Sequence, residues 1–305
     1  MVAADLDRDG DTDVYVANDS VANYLWNNSE GQFTEDGLLS GTALNRVAAR
    51  EAGMGLACGD LDGNGQLDLF VTNFQSETNT LYRNEGGLLF FDVTDEFGLA
   101  ESGRNRLGFG TSLLDMENDS WPDLFVANGH IHDQLKALGR SADYRQKAIL
   151  HSNRNGQRFA DVSASAGEYF NQRVLGRGSC VADFDNDGRV DIAISHLNGP
   201  TELLQNQTNA VGSFVKLKLV GTKANRSGIG AIVDVKSTTR TITEPRMSAA
   251  SYLSADSPIL HIGLGNSELI NATVHWPGGQ PETFSSLNAN ELNTLIEGRG
   301  NQSTP

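Results

Sequence analysis

The chain has 305 residues, of which 38% are hydrophobic and 20% charged, with 33 glycines and a formal net charge of −16. That length accommodates two domains, and the composition suits turn-rich β structure rather than long helices or disorder. The acidity argues against nucleic acid or an anionic membrane as partner, and no stretch approaches the roughly 18 apolar residues of a membrane-spanning helix.

From the N-terminus, the first element is a strand that runs into an acidic nonapeptide, Asp5-Leu-Asp7-Arg-Asp9-Gly10-Asp11-Thr-Asp13. The same pattern returns as Asp60-Leu-Asp62-Gly-Asn64-Gly65-Gln66-Leu-Asp68, as Asp115-Met-Glu117-Asn-Asp119-Ser120-Trp121-Pro-Asp123 and as Asp183-Phe-Asp185-Asn-Asp187-Gly188-Arg189-Val-Asp191. Carboxylates or amides at positions 1, 3, 5 and 9 describe a loop wrapped around one hard cation, the oxygen-only chemistry of Ca²⁺. Position 7 (Asp11, Gln66, Trp121, Arg189) is expected to offer its backbone carbonyl, so its side chain is free to vary. Glycine at position 6 permits the left-handed turn that such a curl demands. Asx-rich hairpin turns are the alternative for any single copy, but four copies in one register favour up to four Ca²⁺, one per loop. The third copy is the weakest, with Ser120 in place of glycine and Pro122 at position 8.

An EF-hand opens in the same way but needs a carboxylate at position 12 and flanking helices. Position 12 here is Val16, Val71, Val126 or Ile194, inside β-branched apolar runs that read as buried strands. The loops therefore join strands. Loop starts at 5, 60, 115 and 183 give spacings of 55, 55 and 68 residues. Each unit reads as four short strands, in the second unit Gly53–Gly59, Leu67–Asn73, Thr80–Asn84 and Leu89–Val93. Such a unit is a propeller blade, which must stack on neighbours to bury both faces.

The acidic loop followed by Asp-Leu-Phe-Val-Ala-Asn and by Asn-x-Leu-Tyr-x-Asn resembles the FG-GAP or VCBS repeat of integrin-α-type β-propellers, over about residues 1–208. Residues 209–298 resemble the ASPIC/UnbV domain, through Arg226-Ser-Gly-Ile-Gly-Ala-Ile-Val, the run from Ser251 to Gly265, and Val274-His-Trp-Pro-Gly-Gly. Together they resemble the cartilage acidic protein family and its bacterial relatives. The resemblance implies a seven-bladed propeller, whereas four units are present here. Met1 aligns with Leu56, partway through a blade, so the chain reads as a C-terminal fragment or a late start. The expected fold is all-β: a partial propeller with calcium loops, then a small β-sandwich-like domain, then a disordered tail at 299–305.

The extra residues of the third unit lie between Asn128 and Ile149 and contain His130, His132 and Asp133 beside an Ala/Leu/Lys/Arg stretch able to form a helical turn or two. A loop over the propeller is the expectation, with a transition-metal site as the alternative, and the insertion is the best candidate for a partner surface. In the tail, Phe214-Val-Lys-Leu-Lys-Leu-Val alternates cleanly, with further strands near 229–235, 259–264, 271–276 and 292–296, and Trp276 as a core or turn anchor. Cys58 and Cys180 precede different acidic loops and are expected to be free, buried small hydrophobes.

No nucleophile elbow, His-Glu-x-x-His, phosphate loop or dinucleotide fingerprint is present. A non-catalytic, calcium-binding interaction or scaffold module is expected, with a protein or glycan partner. The alternative is a carbohydrate-binding or carbohydrate-active propeller whose catalytic part lies elsewhere. Calcium loops of this kind work where the ion is millimolar, so an extracellular, periplasmic or cell-surface location is expected.

Overall fold

The computed structural model describes residues 1–302 apart from 136, 138, 140, 141, 210 and 250. It is nearly all β. Four antiparallel sheets come first, in strict chain order: β1–β4 (Val2–Ala4, Asp13–Val16, Tyr24–Ser29, Gln32–Glu35), β5–β8 (Leu56–Gly59, Asp68–Val71, Thr80–Asn84, Phe90–Asp92), β9–β12 (Gly108–Leu114, Asp123–Asn128, Ile149–Asn153, Phe159–Asp161) and the three-stranded β13–β15 (Gly176–Ala182, Asp191–His196, Glu202–Leu204). Each is a meander whose first hairpin is closed by an acidic loop, so Gly59 pairs with Asp68 and Leu114 with Asp123 across the loop base.

In the second and third sheets the apolar runs after the loops are buried on both faces because each of these sheets stacks between two others. On β6, Leu69 and Val71 enter the core shared with the first sheet, while Phe70 turns to the third. On β10, Leu124 and Val126 face the second sheet, and Phe125 and Ala127 face the fourth. This two-residue alternation, with apolar residues at every position, is what a doubly covered strand requires. The first strands of neighbouring sheets run side by side, β9 and β13 joined by Ser112 Oγ to Ser179 Oγ at 2.8 Å, while Thr72 just beyond the end of β6 donates its Oγ1 to Phe109 O of β9 at 2.7 Å. On the far face of the first sheet, Tyr24 and Trp26 are 44% and 37% exposed, whereas Tyr82, in the place of Trp26, packs edge-on against Tyr15 of the preceding sheet.

The C-terminal part is a two-sheet sandwich. One sheet, ordered β19-β16-β22, holds β16 (Ser213–Val220), β19 (Leu260–Gly265) and β22 (Leu292–Ile296), with β16 and β22 parallel. The other, ordered β18-β17-β20-β21-β23, holds β17 (Ile232–Ser237), β18 (Thr241–Pro245), β20 (Leu269–His275), β21 (Glu282–Phe284) and β23 (Asn301–Gln302). Val215, Leu217 and Leu219 point inward as their alternation demands and meet Val233, Val235, Val274 and Trp276. Strands β18, β21 and β23 were not expected from sequence: β18 alternates only weakly, and β21 and β23 are too short to leave a pattern. Residues 301–302, expected in a structureless tail, pair with β21; 303–305 lie outside the described residues.

Cys58 is buried between the first two sheets, Cys180 is partly exposed, and both are free thiols. The insertion departs from a simple surface loop. His130 is fully buried, its Nδ1 accepts the His132 N–H at 3.0 Å, and its ring meets Phe74 edge-on. The expected helical turns fall partly on 136, 138, 140 and 141, outside the described residues.

Candidate metal loops and the face that covers them

Each acidic loop is organised by its own backbone. The position 1 carboxylate accepts two N–H groups from within the loop: Asp9 and Gly10 donate to Asp5, Gly63 and Gly65 to Asp60, Asp119 and Ser120 to Asp115, and Asp187 and Gly188 to Asp183. The position 5 oxygen accepts the position 7 N–H, at 2.8 Å for Asp9, 2.7 Å for Asn64, 2.9 Å for Asp119 and 2.9 Å for Asp187. Position 6 has positive φ in every copy, including Ser120 at 73° beside Gly65 at 84°. The turn survives in the third loop without glycine, at a steric cost of about 1–2 kcal/mol. Position 4 is also left-handed: Arg8 (64°), Gly63 (78°), Asn118 (53°) and Asn186 (60°).

Position 9 is the most buried member. Asp13, Asp68, Asp123 and Asp191 each accept the position 2 N–H on one oxygen. The other oxygen accepts the N–H of an asparagine at or near the end of the third strand, Asn28, Asn84, Asn153 or Asn206, at 2.8–2.9 Å. Those asparagines also reach backwards. Asn84 Nδ2 donates to Leu6 O at 2.8 Å, Asn153 Nδ2 to Leu61 O at 2.9 Å and Asn206 Nδ2 to Met116 O at 3.0 Å, each carbonyl being position 2 of the preceding loop. The asparagine had a visible signal, the terminal residue of Asn-x-Leu-Tyr-x-Asn, but its role as the joint between sheets appears only in the fold.

Among the described residues, positions 1, 3 and 9 bring ligand oxygens within 4.8 Å of one another in every copy: Asp5, Asp7 and Asp13; Asp60, Asp62 and Asp68; Asp115, Glu117 and Asp123; Asp183, Asp185 and Asp191. Asp9, Asp119 and Asp187 stand outside these convergent groups, as do His130, His132 and Asp133. The position 7 side chains differ in where they go, and that of Arg189 also pairs with Asp187 of its own loop. Asp11 accepts the Glu30 N–H, Trp121 stacks under Arg240, and Arg189 Nε donates to Asn206 O. The donor set is all oxygen and largely anionic, which fits a hard divalent cation and not a soft one.

Electrostatics separate the copies. Burial first, then neighbouring carboxylates, raise Asp5 to about 6, Asp13 to about 7 and Asp115 to about 7, and burial raises Asp60 to about 6. Burial likewise lifts Asp68 and Asp123 well above the ordinary range. Asp183 moves the other way. Burial opposes its charge, but the Lys216 ammonium and the Gly188 N–H hold it below the ordinary range.

The sandwich sits directly over the loops. Arg8 of the first loop pairs with Asp234 on β17 at 2.6 Å and donates to Gly65 O of the second loop. The Arg240 guanidinium lies 3.5 Å from the Trp121 ring centroid and donates to Ser120 O. Asn118 of the third loop meets His261 Nε2 at 3.0 Å and Gly188 O at 2.9 Å, and Lys216 of β16 pairs with Asp183 of the fourth. Behind this contact is a cavity of about 340 Å³, lined in part by Cys58, Glu244, Arg246 and Asp256.

A family described as FG-GAP-like repeat matches residues 5–71 and 60–126, and one described as ASPIC and UnbV matches residues 221–302. The chain carries FG-GAP-like repeats followed by an ASPIC/UnbV domain. It is similar to cartilage acidic protein 1 of Xenopus tropicalis, 24% identical over 94% of this chain and 42% of the relative. The proteins of the same name from Mus musculus and Homo sapiens are each 29% identical, over 67% and 70% of this chain and 31% and 32% of their own lengths. The chain thus spans less than half the length of these relatives. Among solved structures, an Agrocybe aegerita lectin described as recognising non-reducing terminal N-acetylglucosamine aligns over 100% of this chain and 78% of its own, at 14% identity and a TM-score of 0.40. The V. cholerae biofilm matrix protein Bap1 aligns over 93% and 48%, at 12% identity and a TM-score of 0.35.

Proposed function

We propose that the FG-GAP and ASPIC/UnbV parts form a non-catalytic interaction module of the extracellular space or cell surface, in which Ca²⁺ staples the acidic loops. The observation that carries this reading is the convergence of three carboxylates at positions 1, 3 and 9 of each loop. Bound calcium would supply charge neutralisation at groups that burial otherwise drives toward protonation. In a loop that takes an ion, the position 5 side chain and the position 7 carbonyl would complete the shell. The named relatives, cartilage proteins, support placing the module outside cells, where millimolar calcium would fill weak sites. A protein or glycan is the proposed partner.

With a Kd of about 0.1 mM and calcium at about 1 mM, each site would add roughly 1.4 kcal/mol to stability. Calorimetric titration with calcium, paired with melting in calcium and in chelator, tests this. Asp62→Ala is expected to remove one binding event and lower the melting temperature in calcium while leaving it nearly unchanged in chelator. Equal losses under both conditions would refute a metal in that loop.

A further inference from the structure

The four loops share a sequence pattern but not a set of partners. In the first loop, Asp5 and Asp7 accept only backbone N–H groups of their own loop. In the fourth, every early carboxylate is met by a donor from elsewhere or by a neighbouring cation. Lys216 Nζ pairs with Asp183, Arg189 Nη2 with Asp187, and Gln205 Nε2 donates to Asp185 at 2.6 Å. The Lys216–Asp183 pair is secluded, the Asp183 side chain being 3% exposed and that of Lys216 13%.

The placement of Lys216 follows from β16. Val215 and Leu217 fill the sandwich core, so Phe214 and Lys216 project from the opposite face, toward the blades. There the Phe214 ring stacks on His261 at 4.7 Å, and Lys216 lies 5.5 Å from that ring. An ammonium delivered in this way occupies the oxygen that would lead calcium coordination, and repels a divalent ion arriving at the same carboxylates. The ion pair also crosses between domains, so closing this loop and docking the tail are one event.

Resting on the calcium reading of the other loops, we infer that the fourth loop closes without calcium, Lys216 of the C-terminal sandwich standing in its place. The protein then has three calcium-dependent loops and one that is a cation-independent clamp between domains. Lys216 is the residue that decides which kind of loop the fourth one is.

The test is calorimetric calcium titration of the whole chain, with melting in calcium and in chelator, for wild type, Asp60→Asn, Asp183→Asn, Lys216→Met and Lys216→Arg. Wild type should bind three ions and Asp60→Asn two. Asp183→Asn should still bind three, with its melting temperature lowered alike in calcium and in chelator. Lys216→Met should gain a fourth ion, with affinity for that loop raised about tenfold or more by loss of the opposing charge, while Lys216→Arg should stay at three. Four ions in wild type with one lost in Asp183→Asn would overturn the inference, as would a Lys216→Met chain that stays at three. A wild-type chain that binds no calcium would instead sink the calcium reading itself.

Discussion

Asn84, Asn153 and Asn206 show how one side chain can hold three things at once. The backbone N–H of each fixes the position 9 carboxylate of its own loop, and the side-chain amide reaches the preceding loop. Asn153 Nδ2 also donates to Pro122 O, so it bridges the third loop and the second. Asn153→Ala removes these donors and leaves two carbonyls short of partners in a site where Asn153 is nearly inaccessible. The expected loss is about 2–3 kcal/mol, equal in calcium and in chelator because the backbone N–H that holds Asp123 remains. Chemical denaturation under both conditions checks it. A loss seen only in calcium would place the asparagine in the metal site rather than in the joint.

At the scale of elements, the strongest periodic signals carried through and the weak ones did not. Leu69-Phe70-Val71 and Leu124-Phe125-Val126 announce doubly covered strands because every position is apolar, and both stack between two sheets. The convergence of positions 1, 3 and 9 was legible because the same acidic spacing recurs in all four loops. The partners of those loops were not legible. Lys216 lies 33 residues from Asp183, Arg240 120 residues from Ser120 and Arg8 226 residues from Asp234, and no local pattern records such pairings. His130 misled for a related reason: a polar residue in a long insertion reads as solvated, yet here it is fully buried beside Phe74. The docking contacts make a separate expectation. Arg8→Ala with Arg240→Ala removes one inter-domain ion pair and one cation–π contact, together about 2 kcal/mol. Scanning calorimetry should then resolve two transitions, sandwich and blades, where wild type should melt in one. A single transition at the wild-type temperature would show that the domains are held together by other contacts.

For the molecule as a whole, the raised carboxylates link folding, pH and cation. Asp5 and Asp60 titrate at about 6 and Asp13 and Asp115 at about 7 in the folded chain, and Glu244 beside the inter-domain cavity is pushed by burial to about 8. Their ordinary values lie near 4, so between these limits the folded state holds protons that the unfolded chain has released. A raised carboxylate contributes stability fully below its unfolded value and loses it as pH climbs through the folded one. In chelator, stability should therefore fall as pH rises from about 4 through about 7. Calcium reverses the sign for the loop carboxylates, since it binds only their charged form and releases their protons. Stability in millimolar calcium should hold level or rise over the same range, and calcium binding near pH 6 should expel protons, measurable as a dependence of calorimetric heat on the ionisation enthalpy of the buffer. The separation between the two pH curves would grow with each loop that takes an ion, so Asp60→Asn should narrow it and Asp183→Asn should not. Coincident curves with and without calcium would mean that the loop carboxylates take no calcium.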